Sequence, residues 1–348
     1  MKALALRKVT LPAMALCALT CVSAQDIGSV LSLDKKESCR ALVLSGGGSN
    51  GAWEAGVMWG LLNYGDSIDY EYDVVAGVSI GSINASGLAM FDIGDETRAV
   101  DYIYSTWESI RSKDIYQSWP YSFAEGLYSQ SMYDTSPAYD TMKRLYSSFH
   151  EYKRGFSLSA VDIETGEVVL LTDKNTPMEH LDKAVIASAS VPGFFPPTEI
   201  GGRLLVDGMT AWNTNVQEAI DRCREVVEFD SSIIIDVLIC HPMETVPHWD
   251  EAGNTFENYM RVRDLRRRVH SSNAVDGVMR AHPHIHWRHK IHQKMGVHGS
   301  SMLDFSPEVT GPMLEQGKKD AIDALDLEPE DVPKHIRDSK FSDFSADQ

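Results

Sequence analysis

The chain has 348 residues, 43% of them hydrophobic and 24% charged. That balance excludes a disordered or collagenous protein and supports a substantial core without a structural metal. A net charge of −18 argues against a nucleic-acid partner, whose phosphates an acidic surface repels.

Residues 1–24 carry Lys2, Arg7 and Lys8, an apolar run from Leu11 to Val22, and the small-residue ending Val22-Ser23-Ala24. This is the pattern of a cleaved signal peptide, with a run too short to span a bilayer. Cleavage near Ala24 predicts a secreted or lumenal protein with no transmembrane span in its mature chain. Cys17 and Cys21 leave with the signal, and Cys39, Cys223 and Cys240 remain. One disulfide and one thiol fit an oxidising compartment, and the pairing stays open. Residues 25–40 are a polar lead-in.

Arg40 to Ser45 reads as a buried strand and Gly51 to Tyr64 as a helix. Tyr72 to Ala76 is a second strand and Ile80 to Met90 a second helix. Strand, glycine turn and helix, repeated, predict an α/β fold with a parallel sheet. Residues 91–150 read as helical and aromatic-rich. Their Tyr116, Trp119, Tyr121, Phe123, Tyr128 and Tyr133 fit core packing better than an acyl pocket or a lipid contact. Phe156 to Ile163 and Val168 to Thr172 predict a hairpin about Glu164-Thr165-Gly166. A helix is expected over His180 to Ala189, and a short strand from Arg203 ends at Asp207-Gly208. Asn215 and Glu218 form a capping box for a helix reaching Cys223. Ser232 to Cys240 is a strand, 255–280 and 311–325 are helices, and 327–348 is a polar, acidic tail. The sequon Asn84-Ala85-Ser86 falls within the second helix and is expected to stay unmodified.

Three motifs carry chemistry. Gly77-Val78-Ser79-Ile80-Gly81 is a G-x-S-x-G elbow with a strand before it and a helix after. Its glycines permit the tight turn that lifts Ser79, and the helix N-terminus favours developing negative charge. Ser45-Gly46-Gly47-Gly48-Ser49-Asn50-Gly51 also joins strand to helix, and its backbone N–H groups suit an oxyanion hole or a phosphate cradle. A Walker loop is excluded because no Lys-Ser/Thr follows. Gly46, Gly48 and Gly51 satisfy a dinucleotide fingerprint, with Asp69 or Asp73 as the ribose-binding acid, but that reading leaves Ser79 without a role. Asp207-Gly208 places a carboxylate at a strand's C-terminal end, the ligand-binding edge of an α/β sheet.

In this order the three motifs resemble the patatin-like phospholipase family, whose hallmark is a Ser-Asp dyad. Leu44 to Gly48 with Gly51 to Val57 resembles the family's first block. Gly77 to Ala85 resembles its elbow block, and Ala187 to Pro197 its Pro-rich segment before the catalytic Asp. The resemblance is strong over 41–240 and weaker through 311–325. It implies a three-layer α/β/α domain over 41–326 with a mostly parallel central sheet. It implies Ser79 as nucleophile and Asp207 as general base. An Asp with the ordinary pKa near 3.9 is a weak base, which burial strengthens. The oxyanion hole falls to Gly46, Gly47 and Gly48, with Gly46 shaping the loop and the N–H groups of Gly47 and Gly48 donating. Gly51, Gly77, Gly81 and Gly208 support the motifs. No metal or organic cofactor is required, and the substrate is a phospholipid or other acyl lipid at a membrane or micelle surface. Two positions depart from the family. Met209 replaces the usual small residue after Asp-Gly and is expected to narrow the site. Asn50 replaces a basic residue and leaves oxyanion stabilisation to backbone donors and one amide. Asn213 matches the family's Asn beyond the Asp.

Other features compete. His282, His284, His286, His289, His292 and His298 read as a solvated polar segment more readily than as a metal site. Arg261 to Lys294 holds nine Lys/Arg against Asp264 and Asp276, a basic island that either docks anionic headgroups or is a plain charged helix face. Its histidines would add charge at acidic pH. The alternative functions are a Ser-His-Asp esterase using His298 or His335, and a storage or lipid-binding protein of the same fold.

Overall fold

A computed structural model describes residues 35–119, 129–241, 254–295 and 302–327. Residues 1–34, on which the signal-peptide reading falls, Tyr121, Phe123, Tyr128, His298, His335 and residues 328–348 lie outside the described residues. The chain runs through β1 (Cys39–Leu44), α1 (Gly51–Tyr64), β2 (Val74–Val78), α2 (Ile80–Ala89) and α3 (Glu96–Ser109). A ribbon of β3 (Gln117–Ser118) and β4 (Tyr133–Asp134) precedes α4 (Ser136–Tyr146). Then come β5 (Gly155–Asp162), β6 (Val168–Thr172), α5 (Leu181–Ala189), β7 (Thr198–Ile200), β8 (Arg203–Asp207) and α6 (Val216–Val226). Strand β9 (Ile233–Ile239), α7 (Thr255–Ala281), β10 (His286–His292) and α8 (Pro307–Ala324) complete it.

The sheet is parallel through β10-β9-β1-β2-β5, and β6, β7 and β8 join it antiparallel. Alternation along each strand sends side chains to two cores. Leu42 and Leu44 face one core with Trp53, Leu61 and Leu88. Ala41 and Val43 face the other, with Val216, Ile220 and Val275. Helices thus cover both faces, as a parallel sheet requires. Helix α1 is buried over nearly all its length between sheet and α8. Its Trp53 Nε1 donates to Asp320 Oδ2 of α8 at 2.8 Å. Among the described residues no helix is long and apolar enough to cross a membrane.

Four strands depart from the sequence reading, and two of them, β3 and β4, form a short ribbon inside the stretch read as helical. Thr198–Ile200 is too short to show a pattern. The histidine-rich stretch is not a solvated segment but β10, an edge strand parallel to β9. Its apolar Ile291 is buried, and three of its polar residues have partners. Arg288 pairs with the fully buried Asp236, and Lys290 Nζ reaches Asp276 at 2.7 Å. The His289 N–H donates to Asp236 at 3.1 Å and its ring stacks on Tyr70. Burial lowers the pKa of His289 and His292, against the acid-pH charging expected from the sequence. Among the described residues no group of three His, Cys, Asp or Glu is placed to hold a metal ion.

Cys39 at the start of β1 is bridged to Cys223 on α6, with Cα atoms 5.6 Å apart and a sequence separation of 184. Cys240 remains a buried thiol. A cross-link closing so long a loop restricts the unfolded chain strongly. Replacing both bridged cysteines by Ala is expected to destabilise the fold by about 2–4 kcal/mol. Urea unfolding checks this, and an unchanged midpoint would refute it.

Candidate active site

Strand register explains how distant motifs meet. Residues Ser157 to Ser159 of β5 are shared by β2 and β6, so those two strands flank opposite edges. Ala160 and Val161 are shared by β6 and β8, so β8 lies on the same edge as β2. Strand β2 runs up that edge and ends with Val78 opposite Ser159. Strand β8 runs down it and ends with Asp207 opposite Ala160. The two C-terminal ends converge one residue apart, a rise of about 3.3 Å along the strand. The sequence reading put Asp207 at a strand's C-terminal end, on the sheet's ligand edge. It reaches that edge from the opposite direction, because β8 pairs only with the part of β5 that outruns β2.

Ser79 follows Val78 with φ 55° and ψ −122°, a conformation rare for a residue with a Cβ. Such backbone strain is about 1–3 kcal/mol and persists where surroundings fix it. Here the Ser79 N–H donates to Ser188 Oγ at 3.1 Å, and Ser188 Oγ donates to Ser159 O at 2.6 Å. Ser188 therefore ties the elbow to the β5 residue where the strands converge. Gly77 and Gly81 permit the turn: a Cβ on Gly77 would lie 2.4 Å from Gly81 O, and one on Gly81 2.5 Å from Leu44 O.

Asp207 is fully buried. Its N–H donates to Ser190 O at 2.9 Å, and its Oδ1 accepts the Met209 N–H at 2.8 Å. Gly208 packs on Ser159, where any Cβ would strike the carbonyl oxygen. Asn215 Nδ2 donates to Ser159 Oγ at 2.8 Å, and Asn215 Oδ1 accepts the Glu218 N–H as the cap of α6.

The glycine loop joins the same cluster. The Gly46 N–H donates to Asn213 O at 2.9 Å, and Asn213 Nδ2 donates to Gly46 O at 3.0 Å. A Cβ on Gly46 would stand 3.1 Å from Ser79 Cβ. Engaged in this way, the Gly46 N–H shapes the loop rather than offering itself to an oxyanion, which leaves Gly47 and Gly48 as candidate donors. Gly48 has φ +60°, and a Cβ there would lie 2.2 Å from Met302 O. Gly51 starts α1 against Ile80 and Trp107. The Asn50 amide expected to face an oxyanion instead donates to Gly47 O at 3.0 Å, bracing the loop. Asn84 is buried, donating to Gly51 O and Glu54 Oε2.

Beneath the loop lies Glu54, fully buried and bonded by Asn84 Nδ2 at 2.9 Å. Burial pushes its pKa up to about 8, against hydrogen bonds from Asn84, Cys240 and the Ser45 backbone. Cys240 supports the loop from the same side: a Cβ on Gly47 would meet Cys240 Cβ at 2.4 Å.

The structure thus gathers Ser79, Asp207, Gly46 to Gly48 and Asn213 into one cluster. The sequence matches the family described as "Patatin-like phospholipase" over residues 42–220. The chain belongs to the patatin-like phospholipase family. Among solved structures this patatin-like chain is similar to VipD from Legionella pneumophila, with 14% identity over 84% of this chain and 67% of that one, TM-score 0.37. It is also similar to the heterodimeric ExoU–SpcU complex from the type III secretion system of Pseudomonas aeruginosa, with 15% identity over 84% of this chain and 52% of that one, TM-score 0.34. The chain therefore spans about two thirds of the first and half of the second.

Sequence reasoning missed three participants in this patatin-like site. Ser159 carried no signal, and Ser188 stood in the Ala187 to Pro197 block with no role attached to it, because each acts through a contact between segments far apart in sequence. Arg263 did carry one. With Arg266 and His270 it recurs at i, i+3 and i+7, one face of a helix. Arg263 Nη2 lies 3.7 Å from Met209 Sδ, and its guanidinium carbon is 5.7 Å from the Phe194 ring centre. Met209, the departure from the family pattern, is thus packed under α7. The aromatic residues before β4 divide differently. Tyr116 and Tyr133 pack with Phe194 and Phe195 in a small separate cluster, and Trp119 Nε1 donates to Ser131 O at 3.0 Å.

Proposed function

We propose that this chain is a lipid acyl hydrolase, of phospholipase A or lysophospholipase type, working through Ser79 and Asp207. The observation that carries the reading is the convergence of β2 and β8 on one edge of β5, beside a glycine loop held by Asn213. Ser79 Oγ attacks the ester carbonyl carbon while an Asp207 carboxylate oxygen takes its proton. The N–H groups of Gly47 and Gly48 receive the tetrahedral oxyanion, where one donor is worth about 3 kcal/mol in a well-studied hydrolase. Collapse breaks the bond to the leaving alcohol, which recovers the proton from Asp207. Water then attacks the acyl-Ser79 ester with Asp207 again as base, releasing the fatty acid and restoring Ser79.

The substrate is an acyl lipid met at a membrane or micelle surface. The protein is exported to an oxidising compartment, a reading supported by the Cys39–Cys223 bridge. A fluorophosphonate probe tests the nucleophile. Stoichiometric labelling of the Ser79 peptide is expected in mass spectra, and labelling of a different serine would overturn the assignment.

A further inference from the structure

Beside the cluster lies a cavity of about 870 Å³, walled on one side by Met209 to Thr214 and on the other by α7. It is large enough for a lipid headgroup. Its position relative to the dyad follows from two residues. Met209 is bonded through its N–H to Asp207, and Asn213 lines the cavity while holding Gly46 next to Ser79. Met209 and Asn213 thus form the wall shared by the cavity and the cluster around Ser79 and Asp207.

The far wall presents Arg263, Arg266 and His270, successive on one face of α7, and the described lining contains no carboxylate. That composition is unusual in a chain of net charge −18. Further along the basic island Arg288 pairs with Asp236, Lys290 with Asp276 and Lys294 with Asp323. At the mouth Trp212, Tyr259 and Val262 are half or more exposed. Aromatic and aliphatic side chains around a cationic recess suit the boundary between headgroups and acyl chains.

We propose that this cavity receives the headgroup of an anionic glycerophospholipid, with Arg263 and Arg266 on its phosphate, and so sets the enzyme's substrate preference. The inference rests on the acyl-hydrolase reading above and names the substrate class of that site. Guanidinium groups bind phosphate oxygens by charge-assisted, bidentate hydrogen bonds. A choline headgroup brings its own cation to a wall already positive, so the zwitterionic lipid is disfavoured.

The test uses monomeric short-chain lipids, which separates headgroup recognition from adhesion to a charged surface. Dihexanoyl phosphatidylglycerol and dihexanoyl phosphatidylcholine are compared below their micelle concentrations, in two assays. Calorimetry on Ser79→Ala reads binding without chemistry, and fatty-acid release by the wild type reads kcat/KM. A preference for the anionic lipid of about tenfold or more is expected in both. Replacing Arg263 and Arg266 together by Gln should reduce the ratio to about one, whereas Arg266→Lys, which keeps the charge and loses the bidentate fork, should keep only part of it. Equal binding of the two lipids, a choline preference, or a ratio unmoved in the double variant would overturn the headgroup site. p-Nitrophenyl butyrate hydrolysis by the wild type separates the two readings. If that ester is cleaved without any headgroup preference, only the present inference falls. If anionic lipid binds and no ester is ever cleaved, the hydrolase reading falls while the headgroup site stands.

Discussion

Ser79→Ala is expected to lower acyl release from mixed phospholipid vesicles by roughly 10⁴-fold or more, because the proposed mechanism has no other nucleophile. Asp207→Asn should lower it by about 10²–10⁴-fold, the range of a lost general base. The second substitution is informative because it spares the fold. An Asn keeps the Oδ1 that accepts the Met209 N–H, and the backbone bond to Ser190 is untouched. Circular dichroism of each variant, set beside titrated fatty-acid release, makes the comparison. Full activity in Asp207→Asn would move the base elsewhere and bring a histidine triad forward. A wild type inert on every acyl lipid would bring forward the storage or lipid-binding alternative.

Glu54→Gln is expected to flatten the pH dependence of stability. Burial raises the Glu54 pKa from its ordinary 4.5 to about 8 in the folded chain. Between those values the folded state keeps a proton that the unfolded state releases. The wild type therefore loses stability as pH rises through this window. The full span corresponds to on the order of 5 kcal/mol. Gln cannot ionise and keeps an oxygen for Asn84 Nδ2. Its stability relative to the wild type should be lowest below pH 4.5 and rise steadily toward pH 8. Urea unfolding at pH 5, 6.5 and 8 measures this, and parallel slopes for the two proteins would refute it. The same group bears on catalysis. Above about pH 8 a negative charge forms beneath the loop that is to receive the oxyanion, so the wild type's activity should fall on the alkaline side and the variant's should not.

The parts of this protein that could be read from its sequence are those whose causes are local. Strands buried on both faces are near-continuous apolar runs, so Ala41 to Leu44 and Ile233 to Ile239 declare themselves. Gly77 and Gly81 around Ser79 record a steric demand between neighbours in the chain. Strand β10 gives no such signal, since its Arg288 and Lys290 look solvated until Asp236 and Asp276 are found beside them. Asp207 was legible only in company with the other motifs. Its approach along the β2 edge depends on β5 outrunning β2, a relation between registers that no single segment encodes. The same holds for Asn50, whose amide turns back to Gly47 O, and for Met209, whose neighbour Arg263 lies 54 residues on.

The bridge from Cys39 to Cys223 encloses Gly46 to Gly48, Ser79, Ser188 and Asp207 in a single covalent loop. A protease that cuts the backbone once anywhere inside that loop releases no fragment. Both pieces stay tied through β1 and α6, and the strands that bring the serine and the aspartate together remain part of one molecule. Wherever a protease meets the chain, this turns a first cleavage from separation into a nick.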